Sequence, residues 1–170
     1  MIDLPDASIL HNIFLYNPES GILTNKGGRT KRGCTRPVGR EAGTLSTNGY
    51  RNVSINGRLF RAHRVIWTMV YGQAPKDFID HKNGVRDDNR LVNLRECDRH
   101  ENQTNTKRMS RNKSGFKGVS KGKSRKNPWM AFIAYRGKQC YLGSFKSPEE
   151  AHAAYCEFAI QIHGEFANFG

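Results

Sequence analysis

The chain has 170 residues, which suits one large or two small domains and excludes a large multi-domain assembly within one chain. It carries 28 Lys and Arg against 15 Asp and Glu, a formal net charge of +13, which indicates a polyanionic partner. No stretch approaches eighteen consecutive apolar residues and the first residues lack the pattern of a signal peptide, so we expect a soluble cytoplasmic protein without a membrane partner.

The first half of the chain predicts one hairpin and two helices. Residues 1–20 have a weakly helical apolar spacing at Ile9, Leu10, Ile13 and Phe14, followed by a predicted turn at residues 16–21. Residues 25–44 are predicted to form a loop. Residues 50–62 alternate around Asn56-Gly57, the dipeptide that favours a type I′ turn, so we expect a β-hairpin there. Apolar residues at helical spacing then predict a helix from His63 to Tyr71.

The second half predicts a strand at 78–81, a polar helix that ends near Thr106, and a linker at 107–113. Beyond the linker we expect strands at 117–120, 129–135 and 138–145. A helix follows, with Ser147 as N-cap and Glu150 as the capping-box partner, and Gly164 ends it. Its apolar face is predicted to contain Ala151, Ala154, Tyr155, Phe158, Ala159 and Ile162.

Positive charge is concentrated in one segment. Residues 107–146 contain twelve Lys or Arg and no acidic residue, whereas residues 1–106 carry +5 and residues 147–170 carry −4. Phosphate binding releases condensed counterions and is the usual reason for such a segment. A solvated, disordered basic linker is the alternative for residues 107–127. Aromatic and aliphatic residues interleave with the charges in residues 128–146, which disfavours that alternative there.

A group of polar residues at 80–102 has the chemistry of phosphodiester hydrolysis. Asp80 and His81 end an apolar strand, and Asn93 and Asn102 follow along the chain. Asp80 and Asn102 offer oxygen ligands of the kind that Mg²⁺ prefers, which leaves His81 available as a general base. An Asp-His dipeptide by itself more often marks a surface turn or a hydrogen-bonded core pair.

The run from Asp80 to Arg95, followed by Glu101-Asn102-Gln103-Thr104-Asn105, resembles the HNH endonuclease family, and the match extends over about residues 50–106. The resemblance implies a ββα-metal fold, Asp80 and Asn102 as ligands of one Mg²⁺ or Mn²⁺, and His81 as general base. It implies that Asn93 ties the loop together so that His81 points correctly. For Asn89 and Asn105, loop stabilisation or helix capping and a direct role are both open. His63 is interpreted as a packing or capping residue.

Residues 114–170 resemble the AP2 DNA-binding domain through Ser114-Gly115-Phe116-Lys117-Gly118-Val119, Tyr141-Leu142-Gly143-Ser144-Phe145 and Pro148-Glu149-Glu150-Ala151. The resemblance implies a three-stranded antiparallel sheet on one helix, with the outer face of the sheet against DNA. Ser120, Ala134 and Gln139 stand where plant relatives read bases with Arg, which favours phosphate contact. Candidate DNA contacts are Lys117, Lys121, Arg125, Trp129, Arg136, Lys138 and Tyr141; for Trp129 and Tyr141, sheet packing is equally open.

The sequence therefore predicts an α+β protein with an N-terminal region (1–48), an HNH nuclease domain (49–106), a basic linker (107–113) and an AP2-like domain (114–170). The predicted function is metal-dependent cleavage of double-stranded DNA by a monomer or weak dimer. The resemblance implies a homing or free-standing endonuclease of the kind that bacteriophages carry. The alternative is a non-catalytic DNA-binding or transcription regulator in which the HNH-like region is only a scaffold.

Overall fold

A computed structural model describes residues 4–29, 35–104 and 112–170, which divide between an N-terminal unit (1–97) and a C-terminal unit (98–170). The predicted linker at 107–113 lies mostly outside the described residues, as do Asn105 and Thr106. The four-part domain division therefore stays a prediction.

The N-terminal unit is a mixed α/β structure with three small antiparallel sheets, β1-β2, β3-β4-β5 and β6-β7. Its helices are α1 (Ala7–Ile13) and α2 (Ala62–Tyr71), and a 3₁₀ turn covers Leu91–Asn93. Its strands are β1 (Phe14–Asn17), β2 (Ile22–Asn25), β3 (Thr44–Leu45), β4 (Arg51–Ile55), β5 (Arg58–Arg61), β6 (Phe78–His81) and β7 (Leu94–Cys97). One apolar core joins them, with Leu10, Phe14, Leu23, Val53, Ile55, Val65, Ile66, Ile79 and Leu94 buried in it.

The predicted β4–β5 hairpin and helix α2 are both confirmed, together with the residues predicted to form the turn and to end the helix. Asn56 and Gly57 have φ angles of 52° and 83°, as the hairpin between β4 and β5 requires. Helix α2 ends at Gly72, which has φ 75° and adopts the left-handed conformation. The helical spacing predicted near the N-terminus is confirmed by α1, whereas Phe14 begins β1 instead of continuing the helix. The turn predicted at residues 16–21 is also confirmed, and it connects β1 to β2 in a hairpin.

Strands β6 and β7 carry the predicted active-site segment. Their antiparallel register places Asp80 opposite Arg95 and His81 opposite Leu94. Helix α3 (Arg99–Thr104) follows in sequence and belongs to the C-terminal unit. Two strands followed by a helix is the element order of the ββα-metal fold, and the fold itself remains a prediction.

In the C-terminal unit, helix α4 (Pro148–His163) packs on an antiparallel sheet of strand order β10-β9-β8. The strands are β8 (Val119–Lys121), β9 (Trp129–Tyr135) and β10 (Lys138–Phe145), and a 3₁₀ turn covers Gly164–Phe166. The Ser147 side chain accepts a hydrogen bond from the Glu150 N–H, which confirms the predicted helix start. The general arrangement is the predicted one, and its likeness to the AP2 domain stays a prediction.

The buried face of α4 is narrower than predicted. Ala151, Tyr155 and Ala159 are buried, and they form one row at a spacing of four residues. Phe158, which was predicted to share this face, lies beside the row and is 37% exposed. Separately, none of the helices in the described part of the chain is long and apolar enough to span a bilayer.

Gly118 is packed closely against helix α4 and strand β9, so its substitution measures how tightly this unit is packed. It has φ 74°, and a Cβ there would lie 2.2 Å from Cδ2 of the buried Tyr155 ring and 2.7 Å from the Phe132 carbonyl oxygen. Gly118→Ala therefore adds overpacking, about 1–3 kcal/mol, to the left-handed backbone cost of about 1–2 kcal/mol. Gly115→Ala is the matched control, since Gly115 has φ 85° and no atom within 4 Å of its Cβ position. Equal losses of unfolding free energy in denaturant titrations would contradict this packing.

Candidate active site

The end of β6 buries a carboxylate and an imidazole side by side. Asp80 is 6% exposed and His81 is 3% exposed. Opposite Asp80 on β7, the buried Arg95 donates from Nε and Nη2 to Asp80 Oδ2 at 3.0 and 2.7 Å. A buried carboxylate needs such a partner, because an isolated charge is strongly destabilised away from water. Arg95 therefore fixes which way the Asp80 carboxylate faces.

Asn89 orients the His81 ring. The buried Asn89 side chain places its Oδ1 atom 3.2 Å from His81 Nε2, and its Nδ2 atom donates to the Asp87 carbonyl oxygen at 3.3 Å. Because Oδ1 is only an acceptor, this contact selects the tautomer that carries its proton on Nε2. The proton-accepting nitrogen of that tautomer is Nδ1. Burial is the main cause that lowers the pKa of His81, and the Asn89 hydrogen bond partly opposes it.

Asn93 ties the loop between β6 and β7 together. Its Oδ1 atom accepts a hydrogen bond from the Asn83 N–H at 3.0 Å, and its Nδ2 atom donates to the Asp88 carbonyl oxygen at 2.8 Å. The Lys82 N–H also donates to the Asn93 carbonyl oxygen at 2.9 Å. One side chain thus bridges both arms of the loop directly after His81, which is the arrangement that the predicted role of Asn93 requires.

Residues distant in sequence hold the same loop from outside. The Tyr16 hydroxyl donates to the Asn89 carbonyl oxygen at 2.9 Å, and Arg51 binds both carboxylate oxygens of Asp87 at 2.9 Å. Within the loop, hydrogen bonds from Arg90 are the main cause that lowers the pKa of Asp88 to about 2. These contacts keep Asn89 in place against His81.

An aromatic cluster surrounds the imidazole. The ring centroids of His63 and His81 are 5.0 Å apart in an edge-to-face arrangement, and the Tyr50 ring lies 5.3 Å from His63 and 5.9 Å from His81. His63 is 6% exposed, and burial lowers its pKa to about 3. His63 therefore packs as a neutral ring, in agreement with its predicted packing role, and Tyr50 is a neighbour of His81 that the sequence pattern does not single out.

The second predicted metal ligand, Asn102, lies on α3 with a half-buried side chain. Its backbone N–H donates to the Asp98 carbonyl oxygen at 3.1 Å. Asp80 and Asn102 belong to different units, so their joint action on one cation stays a prediction. One carboxylate oxygen and one amide oxygen are the donor chemistry of a hard cation such as Mg²⁺, which retains most of its water, and this chemistry fits the group that the resemblance implies.

The side chains of the C-terminal unit that are predicted to contact DNA differ in their exposure to solvent. Lys117 is half-buried, and burial lowers its pKa to about 8. Trp129 packs against the core, with the Lys121 ammonium group 5.9 Å from its ring centroid. The remaining candidates are exposed: Arg125, Arg136, Lys138 and Tyr141.

The buried His63 predicts acid sensitivity of the fold. Its pKa is about 3 in the folded protein against 6.5 ordinarily, so between these values the unfolded chain binds a proton that the folded chain does not. The free energy of unfolding should therefore fall as the pH drops through this window, by up to about 1.4 kcal/mol per pH unit from this group. Urea titrations from pH 7 to pH 4 should show a flatter pH dependence for His63→Leu than for wild type. His11→Leu, at an exposed histidine, is the control, and equal slopes for wild type and His63→Leu would contradict the assignment.

The chain is similar in sequence to an established protein family and to a known phage protein. Residues 60–104 match the family model described as HNH endonuclease, and this segment includes Asp80, His81, Asn93 and Asn102. Protein 3.8 of Escherichia phage T7 is 35% identical over 112 residues, which cover 64% of this chain and 89% of that protein. No solved structure matches the chain at a significant level. The chain therefore belongs to the family of the phage T7 Protein 3.8, and its residues 60–104 match the HNH endonuclease family model.

Proposed function

We propose that the protein is a metal-dependent endonuclease that hydrolyses phosphodiester bonds in double-stranded DNA. The observation that carries this proposal is the hydrogen bond from His81 Nε2 to the Asn89 amide oxygen, beside the buried Asp80. It presents a neutral imidazole with a proton-accepting Nδ1, as a general base requires. The HNH endonuclease match over residues 60–104 supports the same conclusion.

The proposed reaction is attack of a water molecule on phosphorus. His81 Nδ1 removes a proton from the water as its oxygen bonds to phosphorus, and the bond from phosphorus to the leaving 3′-oxygen breaks. Asn89 keeps the imidazolium oriented, because Nε2 donates to the same amide oxygen before and after protonation. Asn93 acts at a distance by fixing the loop that carries Asn89.

Asp80 and Asn102 are the residues proposed to hold one Mg²⁺ or Mn²⁺. When bound, such a cation stabilises the negative charge that develops on the phosphate and on the leaving oxygen. Arg95 Nε and Nη2 both donate to Oδ2 of Asp80, and these two hydrogen bonds orient the carboxylate.

The C-terminal unit is proposed to anchor the enzyme on DNA in the manner of an AP2-like domain. Its cationic side chains lie in the strands and turns of the sheet, whereas Ser120, Ala134 and Gln139 are exposed on the strands at the positions where bases would be read. This distribution favours contact with phosphates over base recognition.

Replacement of the general base should separate cleavage from binding. We expect His81→Ala to reduce plasmid cleavage in Mg²⁺ by about 10²–10⁴-fold while DNA affinity stays within a few-fold of wild type. The assay is relaxation of supercoiled plasmid with Mg²⁺ or with EDTA, with His11→Ala as the exposed-histidine control. Full activity of His81→Ala would contradict its role, and the absence of cleavage by wild type in Mg²⁺ would favour the non-catalytic regulator.

The anchoring proposal predicts a salt effect that does not depend on DNA sequence. Lys138→Ala should weaken binding to unrelated duplexes alike and flatten the plot of log affinity against log salt by about 0.9. Fluorescence anisotropy with three duplexes at three salt concentrations measures both quantities. Lys76→Ala, an exposed lysine of the N-terminal unit, is the control. A strong preference for one duplex with little salt dependence would mean that the C-terminal unit reads bases.

A further inference from the structure

Two arginines flank the aromatic cluster next to His81. The Arg61 guanidinium carbon lies 4.6 Å from the Tyr50 ring centroid, and that of Arg86 lies 5.0 Å from the same centroid. The Tyr50 ring in turn packs 5.9 Å from His81. A single aromatic ring therefore separates two guanidinium groups from the imidazole. We call Arg61 and Arg86 the arginine pair.

Neither member of the arginine pair has an acidic partner among the residues that the structure describes. Arg51, Arg90 and Arg95, by contrast, each form an ion pair with an aspartate. Acidic residues are close by in sequence, since Asp87 and Asp88 directly follow Arg86, yet they bind Arg51 and Arg90. Two uncompensated positive charges thus remain beside the active site.

The contacts of the arginine pair position both groups and use only part of their donors. Arg61 Nη1 donates to Ser46 Oγ, Asn48 Oδ1 and Asn52 Oδ1 at 3.1–3.3 Å, and Arg86 Nη1 donates to the Asn48 carbonyl oxygen at 2.8 Å. Within the described chain, Nε and Nη2 of both arginines form no hydrogen bond. A guanidinium offers five donors in a planar fork that matches the oxygens of a phosphate.

We propose that Arg61 and Arg86 bind backbone phosphates of the DNA strand that is cleaved at His81, with Tyr50 as their common support. This inference rests on the proposed nuclease function and assigns to that site a substrate-binding element in addition to the predicted metal ligands and general base. DNA phosphate is the fitting partner because two guanidinium forks without acidic partners are complementary to a regularly spaced series of phosphates. Neither side chain takes part in proton transfer, so the arginine pair governs binding and placement of the strand.

The test measures binding of the full chain to a 30-base-pair duplex in EDTA, by fluorescence anisotropy at several salt concentrations. Arg61→Gln and Arg86→Gln should each weaken binding and flatten the log–log salt dependence by about 0.9, and the double variant by about 1.8. Arg58→Gln is the matched control, because Arg58 is exposed on the same strand as Arg61 and loses the same charge. Salt dependences equal to that of Arg58→Gln would overturn the proposal.

Two further measurements distinguish binding from structural effects. Arg86 is exposed and its hydrogen bond goes to a main-chain carbonyl, so Arg86→Gln decides the outcome if Arg61→Gln fails to fold. Arg86→Lys should restore the salt dependence because it restores the charge, and failure of this rescue would contradict a phosphate contact.

A cleavage assay in Mg²⁺ provides the second readout. Arg86→Gln should raise KM and leave kcat within a few-fold of wild type. An unchanged KM with a strongly reduced kcat would place Arg86 in the chemical step and overturn the proposal. If wild type does not cleave DNA, the nuclease proposal fails, while the anisotropy measurements still decide whether the arginine pair binds phosphate.

Discussion

The ion pair between Asp80 and Arg95 is the constraint on which the active-site region depends. Both side chains are buried and directly opposed across β6 and β7. Loss of one partner from a buried pair leaves an unpaired charge, which costs about 3–5 kcal/mol. A shift of the register by one residue would separate the two charges and move His81 to the other face of the strand. The ion pair thereby specifies the register that presents His81 to the loop.

The sequence was sufficient to predict the elements that local signals define. The Asn56-Gly57 turn, the end of α2 at Gly72 and the capping box at Ser147 depend on residues within a few positions of one another, and all three are confirmed. The turn between β1 and β2 is likewise confirmed, but its two strands could not be predicted, because their pairing overrides the weak helical spacing around Phe14. Local signals thus identify turns and caps more reliably than the extent of a short amphipathic segment.

In the candidate site too, some residues can be identified from local sequence and others only from the folded structure. Asp80, His81 and Asn93 are recognisable because they occupy fixed positions in a short segment. The structure shows the hydrogen bonds of His81 and Asn93 within the loop, and the roles of all three residues stay predictions. The arrangement of Arg95 and Tyr50 around them could not be predicted, since it arises from strand register and ring packing. For Asn89, the sequence leaves a loop role and a direct role open; its contacts with His81 and the Asp87 carbonyl oxygen support the loop role, and the direct role stays a prediction.

The hydrogen bond from Tyr16 to Asn89 connects the N-terminal hairpin to the segment that matches the HNH endonuclease family model. The segment that matches the family model begins at residue 60, yet the loop that orients His81 is held by Tyr16 from β1 and by Arg51 from β4. Gly21 also lies close to the Arg90 backbone, where a Cβ atom would approach within 2.5 Å. Residues 60–104 therefore depend on contacts from outside the matched segment: transferred alone into another protein, they would keep the predicted site residues but lose the residues that hold the loop. Substitutions in the N-terminal hairpin of this chain would therefore disturb the orientation of His81, even though the hairpin supplies none of the predicted site residues.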